Sequence, residues 1–406
     1  MGSTEGRRAA EQAARLAYGR LIATLCQQGV GIAQAEDALS NAFVKALDRW
    51  DTHGVPEAPD AWLLTTARRA LIDQSRHVAV KQRVEPELID LFDRLEADSE
   101  PHDRRLDLMM LCAHPAIAAN VRAPLMLQTV LGLTAQDMSA AFLVSPAALG
   151  QRLARAKKQI GQKQPGFVIP DEAEQARRVH DVLDAIYAAF GTGYDAIEDA
   201  RDWRHGLAHE AIWLAQILVH TQPDIAEAQG LLSLMLFVQA RVEARRNAQG
   251  AYVPLSEQDR AHWDWRIVAA AEHHLGLAAA LKAPGRFQLE AAIQSHHMQF
   301  NDADGPDWST IARLYDALVV QAPSLAAWVG RAAAMGEVEG APAGLAALDL
   351  IPADRVRSYQ PYWAVRAHLC TRAQRAEDAR QAYERAIGLC DDPAVRDFLI
   401  EQLSRA

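Results

Sequence analysis

The chain has 406 residues, of which 50% are hydrophobic and 23% are charged, and its formal net charge is −10. This length exceeds one ordinary hydrophobic core, so two or three domains are expected, and the composition excludes a disordered chain. No run of about eighteen apolar residues is present, and the N-terminus lacks the apolar core of a signal peptide, so we expect a cytoplasmic protein without membrane contact. Frequent Ala and the absence of long β-branched runs predict an all-α fold.

The charge is distributed unevenly along the chain. Residues 1–170 hold 20 Lys and Arg against 19 Asp and Glu, a net charge of +1, whereas residues 171–406 hold 22 against 33, a net charge of −11. The first part can bind a polyanion, whereas the net negative charge of the second part repels one. Contact with nucleic acid is therefore expected only from the first part.

Residues 7–77 are predicted to form a compact helical unit whose first helix ends near Gly29. The second helix, at 35–50, has apolar residues at three- and four-residue spacing on one face. These residues are Ala38, Leu39, Ala42, Phe43, Ala46, Leu47 and Trp50. The polar side chains of the other face are Glu36, Asp37, Asn41 and Asp48. An acidic stripe of this kind is ordinarily a solvated surface, and its alternative role is to dock a basic partner.

A Pro- and Gly-rich loop, 51–60, leads into a third helix. Asp60 is predicted to cap this helix at its N-terminus. Arg69 and Arg76 are seven positions apart and share one side, and Trp62 precedes Arg69 by seven. Trp62 fits a core position as well as an exposed one.

Residues 78–107 are predicted to form an acidic linker, because 85–107 carries nine Asp and Glu against three Arg. A solvated connector is the simplest interpretation of this composition.

Residues 108–163 resume helical structure and end in a basic helix. Thr134 and Asp137 approximate a capping box, while Ser145 and Pro146 suit the start of the final helix. The basic side chains of that helix are Arg152, Arg155, Lys157 and Lys158. Two helices joined by a short turn, with the second one basic, are typical of a helix-turn-helix, although many helical hairpins share this pattern.

A segment with two Gly and two Pro, 161–170, marks the predicted boundary to a helical domain at 171–406. Its last helix pair has large and small residues at the positions of a 34-residue tetratricopeptide repeat. These residues are Trp363, Ala367, Ala379, Tyr383 and Ala386. Tyr315 and Pro323 fit a degenerate earlier copy.

No motif for a nucleotide, a protease metal or a nucleophilic serine occurs in the chain. His205 and His209 are four apart and could share a metal ion, but no third ligand is evident, so we predict neither a metal nor another cofactor. The four cysteines form no CxxC pair and are expected to be buried thiols. The sequence therefore favours a protein that is not an enzyme.

The order of these elements in residues 7–163 resembles an extracytoplasmic-function sigma factor, a bacterial member of the sigma-70 family. "AEDALSNAFVKAL" resembles its region 2.2, "DAWLLTTARRALID" its regions 2.3 and 2.4, and "LMLQTVLGLTAQDMSAAFLVSPAALGQRLARAKKQI" its region 4. The remainder, with "LSEQDRAHWDW", resembles the extension of a subgroup that ends in tetratricopeptide-like repeats.

The resemblance implies two partners, core RNA polymerase and promoter DNA. Region 2.2 would dock on the basic coiled coil of the largest polymerase subunit through Glu36, Asp37, Asn41 and Asp48. The loop 51–60 would take up a flipped base of the −10 element. The residues expected to bind DNA are Trp62, Arg69, Arg76, Lys81, Arg83, Gln151, Arg152, Arg155, Lys157 and Lys158. Gln151, Arg152 and Arg155 would reach base edges of the −35 element, and the lysines would meet phosphate.

The extension at 171–406 would then be a fused regulatory module that binds the sigma half or a protein partner. Two other interpretations remain open. The first is a repeat scaffold with a degenerate sigma-like half, since Asn41 stands where the family often has a carboxylate. The second is a metal-dependent enzyme that uses His205 and His209.

Overall fold

The computed structural model describes residues 5–82, 103–139, 142, 144–163, 171–195, 205–299 and 305–405. Within these ranges the regular structure is helical, and an isolated antiparallel bridge joins Arg246 and Tyr252. The all-α prediction is confirmed.

Nine helices belong to the first of two compact units, Met1–Ile217, as far as the described residues show. Their bounds are α1 Glu5–Gln27, α2 Ile32–His53, α3 Pro59–Gln82, α4 Arg105–Cys112, α5 Ala119–Leu131, α6 Ala135–Met138, α7 Pro146–Lys163, α8 Glu172–Asp195 and α9 His205–Thr221. The last of these runs four residues past the boundary between the units.

The first three helices pack on one another around fully buried aliphatic side chains. Ile22 and Leu25 of α1, Leu39 of α2 and Leu63 of α3 are all inaccessible to solvent. The turn after α1 is sharp because Gly29 has a φ of 84°, a left-handed conformation that favours glycine. The predicted end of the first helix near Gly29 is thereby confirmed.

Two local predictions about the third helix differ from the structure. The helix begins at Pro59, so Asp60 lies inside its first turn and forms an ion pair with Arg20 at 2.8 Å. It also continues to Gln82, past the predicted end of the unit at residue 77. The acidic linker predicted for 78–107 therefore overlaps α3 and α4 at its ends, and residues 83–102 lie outside the described part.

The two helices that follow the predicted boundary at 161–170 pack within the first unit. Arg178 of α8 is buried and donates a hydrogen bond to the main-chain carbonyl of Met110 at 2.9 Å. Asp181 of α8 forms an ion pair with Arg122 of α5 at 2.8 Å. The compact units consequently divide between Ile217 and Leu218, about fifty residues later than the sequence suggested.

The second unit, Leu218–Ala406, continues as packed helix pairs. Its helices after α9 are α10 Ala226–Gln239, α11 Trp265–Ala280, α12 Arg286–Met298, α13 Trp308–Gln321, α14 Leu325–Val338, α15 Ala341–Asp349, α16 Ala353–Val356, α17 Gln360–Arg372, α18 Ala376–Gly388 and α19 Pro393–Arg405. Ala367, Ala379 and Ala386 are fully buried where α17 and α18 meet, since small side chains allow close approach. Tyr383 is buried beside Trp363 in the same cluster.

A long connection between α10 and α11 links the two ends of this second unit. Arg246 forms an ion pair with Asp392 at 2.9 Å, and Tyr252 meets Phe398 with ring centroids 5.5 Å apart. Further along the connection, the Arg260 guanidinium lies over the Trp263 and Trp265 rings at 5.5 and 5.4 Å. The Arg246–Asp392 and Tyr252–Phe398 contacts each bridge residues 146 positions apart in the sequence.

Candidate functional site

The acidic stripe of α2 lies on the helix face opposite the core. A helix turns by about 100° per residue, so Asp37, Asn41, Val44 and Asp48 lie within about 60° of one another. All four are exposed, while Leu39, on the other side, is fully buried. The face is therefore available to a partner protein.

This outer face is not purely polar. Val44 is 58% exposed and lies between the acidic residues, and Leu47 is 42% exposed at the edge of the face. The sequence spacing grouped Leu47 with the apolar face, but the residue is exposed because it stands about 100° from the centre of the buried face. An apolar centre with a polar rim is a common arrangement at protein–protein interfaces.

Glu36 departs from the stripe and pairs with the basic helix α7. The Lys157 ammonium contacts both carboxylate oxygens of Glu36, at 2.6 and 2.7 Å. The two side chains are only 12% and 16% exposed, respectively. Burial raises the pKa of the Glu36 carboxyl, and the neighbouring Lys157 charge offsets only part of that effect. Two residues predicted to bind different partners thus bind each other.

The third helix presents part of its predicted nucleic-acid surface. Trp62 is partly buried and packs against Trp50, with ring centroids 5.5 Å apart and planes at 65°. Arg69 is exposed. The side chains of Arg76 and Lys81, and all of Arg83, lie outside the described part of the chain.

The basic helix α7 is preceded by a well-defined helix start. Thr134 and Asp137 form a full capping box at α6, in which the Asp137 carboxylate accepts a hydrogen bond from the Thr134 amide at 2.8 Å. Ser145 accepts a bond from the Ala148 amide at 3.4 Å, and α7 begins at Pro146. The capping predictions for α6 and α7 are confirmed, unlike the one made for Asp60.

The α7 helix buries one side and exposes most of its cations. Its buried side chains are Leu149, Leu153, Ala156 and Ile160. The exposed ones include the predicted base-reading and phosphate-binding residues Gln151, Arg152, Arg155 and Lys158. Among the described residues, no acidic side chain forms an ion pair with these cations. Four of the five polar residues predicted on α7 to bind DNA are consequently open to a ligand.

No local sequence pattern predicted the ion-pair network that connects α4 to α9. Arg105 is buried and contacts Asp103 at 2.7 Å and Glu210 at 2.5 Å, and the Trp213 indole donates to Asp103 at 3.3 Å. Burial acts to raise the pKa of Asp103, but hydrogen bonds and the charge of Arg105 outweigh it and hold that pKa below its ordinary value. Only the tertiary fold brings these residues together.

The described residues contain no cluster of three His, Cys, Asp or Glu side chains that could hold a metal ion. His209 is exposed on α9, and the side chain of His205 lies outside the described part. Cys26, Cys112, Cys370 and Cys390 are buried, as predicted. None of the described helices combines the length and apolar character that a membrane crossing requires.

Comparison with known proteins identifies the segment that holds the acidic stripe. Residues 14–79, which include α2 and most of α3, match the model of sigma-70 region 2. The chain carries a sigma-70 region 2 domain. This match supports assignment to the sigma-70 family, and the exposed Asp37, Asn41 and Asp48 lie within the domain.

The rest of the chain is covered by two further matches. Residues 178–279 match a family of unknown function, DUF6596, which begins in α8 and ends in α11. The uncharacterized protein R00370 of Rhizobium meliloti (strain 1021) is 34% identical over 380 residues, which cover 91% of this chain and 89% of that protein. The chain belongs to the same family as R00370. No solved structure matches it.

Proposed function

We propose that the protein is a sigma factor of the extracytoplasmic-function type, which binds core RNA polymerase and directs it to promoters. The observation that carries the proposal is the exposed stripe of α2 inside the sigma-70 region 2 match. Asp37, Asn41 and Asp48 frame Val44 on this stripe and would meet a basic surface of polymerase. The protein itself performs no chemistry in this role, because polymerase makes the phosphodiester bonds.

The proposed DNA contacts fall on two separate helices. Trp62 and Arg69 of α3, with the loop 54–58 between α2 and α3, would bind the single strand of the −10 element by stacking and phosphate contact. The α6–α7 pair would act as a helix-turn-helix, with the exposed side chains of α7 in the major groove. The open cations of α7 support this role, because a protein–DNA interface needs unpaired positive charge.

The extension would act as a regulatory module built from tetratricopeptide-like helix pairs. Buried alanines between α17 and α18, with Tyr383 beside them, support this interpretation. Two helices of the predicted extension, α8 and α9, contact α4 within the first unit, which supports an interaction with the sigma-like half.

The decisive test is transcription in vitro with core polymerase and a random promoter library. The full chain should bind core polymerase and enrich one promoter class. Asp37→Lys with Asp48→Lys should weaken core binding by about 10-fold or more, because several exposed charges reverse at one interface. Asp354→Lys with Asp397→Lys makes the same charge change at exposed sites of the second unit and should leave binding unchanged.

A repeat scaffold with a degenerate sigma-like half would give a different result. Such a protein would show no binding to core polymerase in a pull-down at moderate salt, and the two double variants would then behave alike. That outcome would refute the proposal.

A further inference from the structure

The second unit is acidic as a whole but contains a basic segment. Residues 218–406 hold 18 Lys and Arg against 23 Asp and Glu, a net charge of −5. Residues 353–388, which span α16 to α18, hold seven Arg against four Asp and Glu, a net charge of +3. The reversed local sign gives a small positive field that attracts an acidic group.

Four of these seven arginines serve the fold of the unit. Each of them forms an ion pair with a carboxylate of the same unit. The pairs are Arg366 with Asp349, Arg372 with Glu337, Arg375 with Asp378, and Arg380 with Glu377 and Glu384. Because these charges are neutralised locally, they do not account for the positive field.

The remaining three, Arg355, Arg357 and Arg385, form an arginine patch. All three are exposed, and no carboxylate of the described residues forms an ion pair with them. The Arg385 guanidinium donates to the main-chain carbonyl of Arg357 at 2.9 Å, so α18 lies beside the end of the short helix α16. Arg355 is two residues from Arg357, on the other side of the buried Val356. Three positive charges therefore lie close together, with the exposed carboxylate of Asp354 at their edge.

The arginine patch is held in place by contacts that do not use its own charges. The Trp363 indole donates to the main-chain carbonyl of Val356 at 3.0 Å, which fixes α16 against α17. Val356 is buried in a cluster against which Tyr359 and Trp363 pack. A preformed surface loses less conformational entropy on binding than a flexible one. The turn between α15 and α17 thus presents the patch in a fixed position.

An apolar side chain precedes the arginine patch in the chain. Leu350, five residues before Arg355, is 78% exposed at the end of α15. Covering an exposed Leu side chain favours association through the hydrophobic effect. Arginine is itself enriched among the residues that dominate the binding energy of protein interfaces. The combination fits a peptide that carries both carboxylates and apolar side chains.

Duplex DNA fits this surface less well than such a peptide does. A duplex carries one negative charge per about 1.7 Å of its axis and extends past a small patch. The rest of the second unit, with 11 Lys and Arg against 19 Asp and Glu, would repel that extension. The exposed Leu350 gains nothing from a phosphate. A short acidic peptide, by contrast, can meet the patch alone.

We propose that the arginine patch and Leu350 bind an acidic, partly apolar segment of a partner protein. The guanidinium groups pair with its carboxylates, since the fork of an Arg side chain can bind both carboxylate oxygens at once. Leu350 covers one of its apolar side chains. This surface gives the proposed regulatory module a partner of defined chemistry, and its existence does not depend on the binding of core polymerase.

The test is selection of a displayed random library of short peptides on the full chain, followed by sequencing of the bound pool. The pool should be enriched in peptides that combine Asp or Glu with Leu, Ile, Phe or Trp. Arg355→Glu with Arg357→Glu should weaken binding of the selected peptides by about 10-fold or more, because two attractive charges become repulsive. Arg266→Glu with Lys282→Glu is the matched control, since it makes the same charge change at two other exposed cations of the second unit, and it should leave binding unchanged.

A second pair of variants tests the apolar part of the surface. Leu350→Ser should weaken binding of the selected peptides by about 3-fold or more, because an apolar contact is lost. Val320→Ser, at a residue that is 83% exposed on α13, should leave binding unchanged. All of these substitutions fall on exposed side chains, and unchanged far-UV circular dichroism will show that the fold is retained.

Three results would overturn the proposal. The first is a selected pool without an excess of acidic residues. The second is equal peptide binding by the parent and by Arg355→Glu with Arg357→Glu, since the peptides would then bind elsewhere. The third is a loss of affinity for a labelled DNA duplex in that variant as large as its loss for the peptides, which would reassign the patch to nucleic acid. Absence of core polymerase binding by the parent would remove the sigma-factor assignment but would leave the peptide results unchanged.

Discussion

Replacing Arg105 by Met should destabilise the first compact unit far more than an equivalent change at a neighbouring arginine. The Arg105 guanidinium is buried and contacts the carboxylates of Asp103 and Glu210. Met retains much of the apolar stem but removes every hydrogen bond. Asp103 would remain shielded from water without its main counter-charge.

The size of the loss follows from the burial of the partners. Removing one member of a buried ion pair costs about 3–5 kcal/mol. Glu210 is partly exposed and can regain hydration, so we expect about 2–4 kcal/mol in this case. In a unit the size of Met1–Ile217, each kcal/mol shifts the melting temperature by roughly 2–4 °C, which gives a decrease of roughly 5–15 °C.

Scanning calorimetry of the full chain measures this shift. Arg104→Met is the control, because Arg104 pairs with Asp107 at 3.3 Å and both side chains are more exposed. Arg104→Met should lower the free energy of unfolding by less than about 1 kcal/mol. Equal shifts for the two variants would refute the reasoning that burial sets the magnitude.

The same variant should alter the dependence of stability on pH. The folded pKa of Asp103 lies below its ordinary value of 3.8, so this group stabilises the fold above that pH and the contribution is lost as the pH falls through the folded pKa. Arg105→Met removes the cause of the lowered pKa. The melting temperature of the variant should therefore decline less steeply than that of the parent between about pH 5 and 2.

Two further predictions concern the DNA-binding helix and the second unit. Arg155→Ala should weaken promoter binding by about 1–3 kcal/mol and relax the base preference at one position, whereas Lys158→Ala should weaken binding to all sequences alike. Binding assays on a set of substituted promoters measure both effects. A uniform loss of binding for both variants would make α7 a phosphate-binding face only. Gly230→Ala should lower the melting temperature of the second unit, because the added Cβ would stand 2.6 Å from the main-chain nitrogen of Gln288. Overpacking of this kind costs about 1–3 kcal/mol of stability. Gly276→Ala in α11 has open space around its Cβ and should be neutral or stabilising; a loss equal to that of Gly230→Ala would contradict this account.

Local patterns in the sequence predicted the elements that depend on neighbouring residues. Apolar spacing gave the buried face of α2, with Leu39 and Ala42 inaccessible, and the Thr134–Asp137 capping box formed as expected. Leu47 was misassigned because a pattern of apolar and polar residues does not take into account how far a residue lies, around the helix axis, from the centre of the buried face. Asp60 was misassigned because α3 begins one residue earlier, at Pro59, and the Asp60 carboxylate pairs with Arg20, forty positions earlier.

The sequence by itself determined the helical class, the acidic stripe of α2 and the basic surface of α7, since each depends on residue type and helical period within one segment. Only the tertiary structure decided that Glu36 and Lys157 neutralise each other, that Gly19 meets the Val130 main chain, and that α8 and α9 pack within the first unit. Such contacts join residues far apart in the chain. Their formation depends on the shape and shielding of packed helices, which no local pattern encodes.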